Sequence, residues 1–218
     1  MRVTTQMLNE SARKAGLPIN NTSLLNYLDD NSNDTLISAL TKSTTTDTVT
    51  KTKYEKLEKT ADQLFDAASI FMSTDEDSLF SKARESGDNQ DIYNAVDDFV
   101  GKYNSTLSAL KNMSDTMNDY YAQMLKSAAS GNKEALAGIG ISVAKDGSLS
   151  VDKDKLKGTD IDALEKVLGS STGFTQKVAY LAGKVSDNAQ TNISSLSSQY
   201  SSSGSLYSAL ASKYDLFG

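Results

Sequence analysis

Alternate steps of four and three residues from Ile92 meet Val96, Phe99, Tyr103, Thr106, Leu110, Met113, Met117, Tyr120 and Met124. Thr106 is the polar position in this seam, and Leu107 stands beside it. A 3.5-residue apolar period stays turned toward a partner helix only if the two helices supercoil, so the spacing predicts one coiled-coil helix from Asp91 to about Ser130. Gly131 suits its end, as a residue free to adopt the left-handed conformation. A second seam precedes it at Tyr54, Leu57, Ala61, Leu64, Ala68 and Phe71, with alanines small enough to admit a close neighbour. Between the two, Ser73 to Glu76 has the spacing of a capping box, and Leu79, Phe80 and Ala83 predict a short helix that stops at Gly87. Asp88 or Asn89 then caps the long helix, and the two seams are expected to pack antiparallel.

After Gly131 the period changes. Ile141, Val143, Leu149 and Val151 alternate with serines, and Asp146-Gly147 between the arms predicts a β-hairpin whose turn residues tolerate positive φ. An isolated hairpin is marginal in water, so a helix must cover its apolar face. The segment with Ile161, Leu164, Val167 and Leu168, capped by Thr159 with Asp162, is the expected lid. A last long helix from near Thr172 carries Phe174, Val178, Leu181 and Val185, then shifts phase to Ala189, Ile193, Leu196 and Tyr200. Its serine-rich stretch, Ser194 to Ser205, is expected to be the weakest, because hydroxyls compete for backbone groups. An apolar tail follows with Leu206, Tyr207, Leu210, Tyr214, Leu216 and Phe217. At the other end, short helices around Val3 to Leu8, Leu24 to Leu28 and Leu36 to Leu40 are expected in a loosely tied arm, with Thr44 to Thr46 as a poor helix context.

The fold class expected is therefore mainly α, an elongated antiparallel helical coiled-coil bundle with a small β-hairpin lobe. Residues 1–47 form the arm, 48–130 the helical hairpin, 131–170 the lobe with its hairpin at 141–151, and 171–218 the C-terminal helix and tail.

Composition narrows the chemistry. The 218 residues include no cysteine and no histidine, so thiolate nucleophiles, Cys/His zinc sites and histidine-based triads are excluded. A net charge of −6 with scattered lysines opposes binding to nucleic acid. No apolar run approaches the roughly eighteen residues that span a bilayer, and the N-terminus lacks the apolar core of a cleaved secretory signal. Asp146 beside Asp152 and Asp154 departs from the order of a calcium loop, and three nearby lysines would oppose a cation. Adjacent Asp97 and Asp98 point about 100° apart on a helix and read as a solvated face. Met113, Met117 and Met124 read as adaptable core instead of a soft metal box, and Asn104, within a glycosylation-type triplet, is assigned no role. No cofactor, metal, membrane or small-molecule substrate is expected.

Two segments, IYNAVDDFVGKYNSTLSALKNMSD at Ile92 to Asp115 and LAGIGISVAKDGSLSVDKDKL at Leu136 to Leu156, resemble the C-terminal domain of the flagellar filament-capping protein, hook-associated protein 2. Phe99, Val100, Tyr103 and Asn104 match its first element, and Gly140, Ile141, Asp146, Gly147, Leu149 and Asp152 its second. The resemblance covers roughly residues 90 to 170. It lacks the large middle domains of that family, while MRVTTQML is similar to the opening of hook-associated protein 3 and flagellins. The resemblance implies a non-enzymatic structural protein of the bacterial flagellum, exported without a cleaved signal. Its expected partners are other copies of itself and other axial proteins, met through helical coils and the terminal tail. A cell-surface binding module or adhesin, with the helices as spacer and the lobe as contact face, is the alternative. An enzyme relying on carboxylates alone is the third possibility and would need a cleft with paired acids.

Overall fold

The computed structural model describes the backbone of residues 33–169 and 173–214, and side chains within 48–169 and 173–197. The short helices expected before Asn33 lie outside the described residues. Packing divides the chain into two units, Met1–Thr50 and Lys51–Gly218. The described residues are mainly helical with one small two-stranded antiparallel sheet.

The first helix, α1, runs Asn33–Ser69 and ends in a 3-10 turn at Ile70–Met72. It takes in Leu36 to Leu40 and the threonines at 44–46 without interruption, contrary to the separate short helix expected there. A β-branched residue costs only a few tenths of a kcal/mol in a helix, and propagation from an already formed turn is far easier than nucleation. Tyr54, Leu57, Ala61, Leu64, Ala68 and Phe71 are buried along one stripe. Helix α2 (Leu79–Ser86) is capped by Ser78, whose hydroxyl accepts from the Ser81 N–H at 3.3 Å. The expected box at Ser73–Glu76 lies in irregular chain, a bend and a turn instead, since the helix starts where Phe80 and Ala83 have a core to enter. Gly87 closes α2 at φ 69°, its N–H bonded to the Ala83 carbonyl.

The long seam helix is in fact two helices. Helix α3 spans Gln90–Lys111, the chain turns through Asn112 to Asp115, and α4 spans Thr116–Gly131. Asp115 caps α4, its Oδ1 accepting from the Asn118 N–H at 2.9 Å. Ile92, Val96, Phe99, Tyr103, Thr106, Leu110 and Met113 are buried. Beyond the turn the inward phase moves on by one residue: Asn118, Ala122, Leu125 and Ala129 are buried, whereas Met117, Tyr120 and Met124 are 49%, 55% and 38% exposed. The reason is local. Asn, Ser and Asp side chains offer the backbone partners outside a helix, and an aspartate cap begins a new helix with its own phase.

Helix α8 (Phe174–Tyr214) follows the sheet and its short helices and is continuous through the serine-rich stretch. Hydrogen bonds show how the long helices pair. The Thr106 hydroxyl donates to the Thr60 carbonyl at 2.9 Å and Lys102 donates to Gln63 at 3.4 Å, so α1 and α3 run in opposite directions. The Tyr103 hydroxyl donates to the Leu125 carbonyl at 3.0 Å, joining α3 to the returning α4. Asn188 donates to Asn118 at 3.3 Å, and Leu181 shares a groove with Met124, so α4 and α8 are likewise opposed. Phe71, Phe99, Phe174 and Tyr103 are linked at the centre by ring contacts 5.8–6.1 Å apart.

Between α4 and α8, α5 (Lys133–Gly138) leads to β1 (Ile141–Val143) and β2 (Leu149–Val151), paired antiparallel with Ile141 opposite Val151 and Val143 opposite Leu149. The connection is a three-residue loop, Lys145 to Gly147, closed by Ala144 N–H to the Ser148 carbonyl at 2.9 Å. Of the two turn residues that tolerate positive φ, Gly147 alone adopts it, at 87°. A turn followed by one left-handed glycine is the usual three-residue hairpin solution. Short helices α6 (Lys153–Lys157) and α7 (Ile161–Leu164) follow, and α7 widens into a π-helical turn at Glu165–Gly169. Asp160, not Thr159, caps α7, accepting from the Asp162 N–H at 3.0 Å. This segment is not the lid of the hairpin. It packs on α2 and the 3-10 turn, where Arg84 bonds Asp162 and Glu165, while α3 and α5 cover the strands.

Candidate functional site

The two sequence segments that carry the family resemblance meet at Asn104. Its Nδ2 donates to the Leu149 carbonyl and its Oδ1 accepts from the Leu149 N–H, both at 2.8 Å. The side-chain amide thus completes the outer edge of β2 in place of a third strand, and every group in the exchange is satisfied. Sequence reading gave Asn104 no role because a helix-borne amide carries no periodic signal. The other glycine and aspartate of the motif shape the open end of the hairpin, away from the Asn104 contact. Gly140 adopts φ 90°, and a Cβ there would lie 2.9 Å from both the Asp152 carbonyl oxygen and the Leu156 nitrogen. The Asp152 N–H donates to the Gly140 carbonyl at 2.8 Å, and the Asp152 carboxylate caps α6 through the Lys155 N–H. Asn104→Ala would strand both Leu149 backbone groups. We expect a loss of about 2–3 kcal/mol, on the scale of two deserted partners in a half-buried site, with Asn104→Asp failing to rescue it; urea denaturation checks both.

At the hairpin tip, the Lys111 ammonium donates to the Asp146 carbonyl at 3.0 Å and reaches its carboxylate at 3.3 Å. Ser148 donates to Asp146 Oδ1 through both hydroxyl and N–H. The Ser148 bonds, followed by Lys111, hold the Asp146 carboxyl at about 2, below its ordinary 3.8. A depressed carboxylate contributes stability that is complete above 3.8 and disappears as pH falls through about 2. Acidification across that window should therefore weaken the Ser148 bonds, seen as a lower protection of the Ser148 amide relative to its intrinsic exchange rate at each pH. Asp146→Asn should remove most of this pH dependence.

The acidic pair considered for acid-base chemistry is split between surface ion pairs: Asp97 bonds Lys153 at 2.6 Å and Asp98 faces Lys102 at 3.8 Å. Among the described residues, no three acidic side chains gather as metal ligands, and no helix is long and apolar enough to cross a membrane.

The phase change at Asp115 leaves an apolar face outside the core. Met124 lines an open groove of about 520 Å³ with Ala128, Tyr180 and Leu181 between α4 and α8. Tyr180, 64% exposed, stands at the outer crest of α8 under the Lys184 ammonium, 5.9 Å from its ring. Tyr120 and Tyr121 continue the face along α4, their rings 5.8 Å apart. On the other flank, Phe65 of α1 is 43% exposed and lies against Gly183. The sequence put Met117, Tyr120 and Met124 in the buried seam; they belong instead to this outward face. Of the tail residues, Leu206, Tyr207, Leu210 and Tyr214 fall on the helical backbone of α8, and Leu216 and Phe217 lie outside the described residues.

No protein-family model, no curated protein and no solved structure matches this chain.

Proposed function

We propose that the chain is a non-enzymatic structural protein of the bacterial flagellum, related to the filament cap or the hook-associated proteins, that assembles with itself and with other axial proteins. The observation that carries this reading is the Asn104 amide, which bonds both backbone groups of Leu149 and so ties the helix motif to the strand motif. The contact supports the reading because a residue of the helix motif bonds a residue of the strand motif, while Gly140 and Asp152 of the strand motif bond each other where the hairpin opens. On this reading the opposed helices, with a seam from Ile92 to Leu110 facing inward, form an antiparallel coiled-coil bundle carrying the hairpin lobe. Among the described residues the apolar outer face lies on α4 and α8 and not around the hairpin, which favours assembly through helices over an adhesin that binds with the hairpin lobe.

Two measurements test the proposal. The protein should be recovered from sheared flagellar filaments of its source cell, and deletion of Leu206 to Gly218 should abolish its larger oligomers in sedimentation. Absence from filaments, together with species larger than a dimer that survive the deletion, would overturn the flagellar role.

A further inference from the structure

Four exposed residues, Lys177, Tyr180, Lys184 and Asp187, form one stripe on the outer face of α8 with spacings of three, four and three. The order reads symmetrically about a point between Tyr180 and Lys184. Placed antiparallel on a second copy of itself, the stripe sets Lys177 opposite Asp187 twice and Tyr180 opposite Lys184 twice. Within one copy Lys184 already bonds Asp187 at 3.2 Å and covers the Tyr180 ring; across the axis Lys177 adds a second cation to each Asp187, and the two Tyr180–Lys184 pairs meet between them. The neighbouring helices present apolar residues at the same level. Gly183 brings Phe65 of α1 beside the midpoint, and Leu181 and Tyr180 bring Met124 of α4 there from the other side.

We propose that this face, built from the α8 stripe flanked by Phe65 and Met124, is the contact of a twofold-symmetric homodimer. An axis crossing α8 at right angles between Tyr180 and Lys184 lays each helix against its own counterpart, so Met124 meets the second copy's Met124 and Phe65 its Phe65. Covering Phe65, Met117, Tyr120, Met124 and Tyr180 removes on the order of 500 Å² of apolar surface per copy, about two-thirds of the roughly 800 Å² that a standard interface takes from each partner. The polar rim supplies the remainder. A twofold contact closes at two copies, so the dimer is a discrete species and not a filament. This deepens the self-assembly reading by naming a face and a partner, and it leaves the terminal tail uninvolved.

The test is sedimentation velocity on the full chain over a concentration series, with circular dichroism confirming helix content. Wild type should pass from monomer to dimer. Lys177→Asp sets two carboxylates against each other across the axis, and Asp187→Lys two ammoniums, so each variant alone should dimerise at least about tenfold more weakly. An equimolar mixture of the two variants pairs opposite charges at both ends and should recover the wild-type dimer. A wild-type chain that stays monomeric, or a dimer indifferent to both swaps, overturns the proposal. Association lost on deleting Leu206 to Gly218 but unmoved by the swaps would leave the flagellar reading standing and this interface refuted.

Discussion

Phe99→Ala should cost about 3–5 kcal/mol, the range for truncating a fully buried phenylalanine. The ring has no solvent exposure, and it meets Phe71 edge-on at 5.9 Å and Phe174 edge-on at 5.8 Å. These neighbours come from the 3-10 turn after α1 and from the first residue of α8, so one side chain joins three separated stretches of the chain. The cavity left by alanine cannot collapse easily, because Phe71 is also held against Phe80 and Phe174 against Tyr103. In urea the midpoint should fall with the slope unchanged, as the surface exposed on unfolding is the same. A midpoint equal to that of wild type would mean that Phe99 does not occupy this core.

The periodic parts of the fold were legible in the sequence, and the parts set by single polar groups were not. Tyr54 to Phe71 and Ile92 to Met113 read correctly as buried stripes, since each helical turn repeats the same demand for burial. The hairpin was legible from its alternation and from Gly147, although the loop holds three residues instead of two. The failure came at Asn112 to Asp115. Met113 and Met117 keep the heptad spacing across that turn, so the period looked unbroken while Asp115 was starting a new helix. The signal was present in the cluster Asn112, Ser114 and Asp115 followed by Asn118, and it required a capping reading in place of a periodic one. Buried Asn118 is part of the same blind spot. Its amide donates to Asp115, which also accepts from the Tyr54 hydroxyl at 2.9 Å, and its Oδ1 accepts from Asn188. Burial and the Asp115 carboxylate push the Tyr54 phenol up to about 12, a sign of how closely this polar junction is packed. No hydrophobic pattern announces such a network.

The phase of α4 decides which residues hold the core and which are free for a partner, so neighbouring substitutions at 124 and 125 test it most directly. Leu125 is fully buried under the Tyr103 hydroxyl bond, while Met124 is 38% exposed on the outer groove. Measured by urea denaturation at concentrations where the chain is monomeric, Leu125→Ala should cost about 2–5 kcal/mol and Met124→Ala less than about 1 kcal/mol. At higher concentration the order reverses, with Met124→Ala the variant that weakens association. A larger loss of stability for Met124→Ala than for Leu125→Ala would show that the seam runs unbroken from Ile92 through Met124, and the outward face on α4 and α8 would not exist.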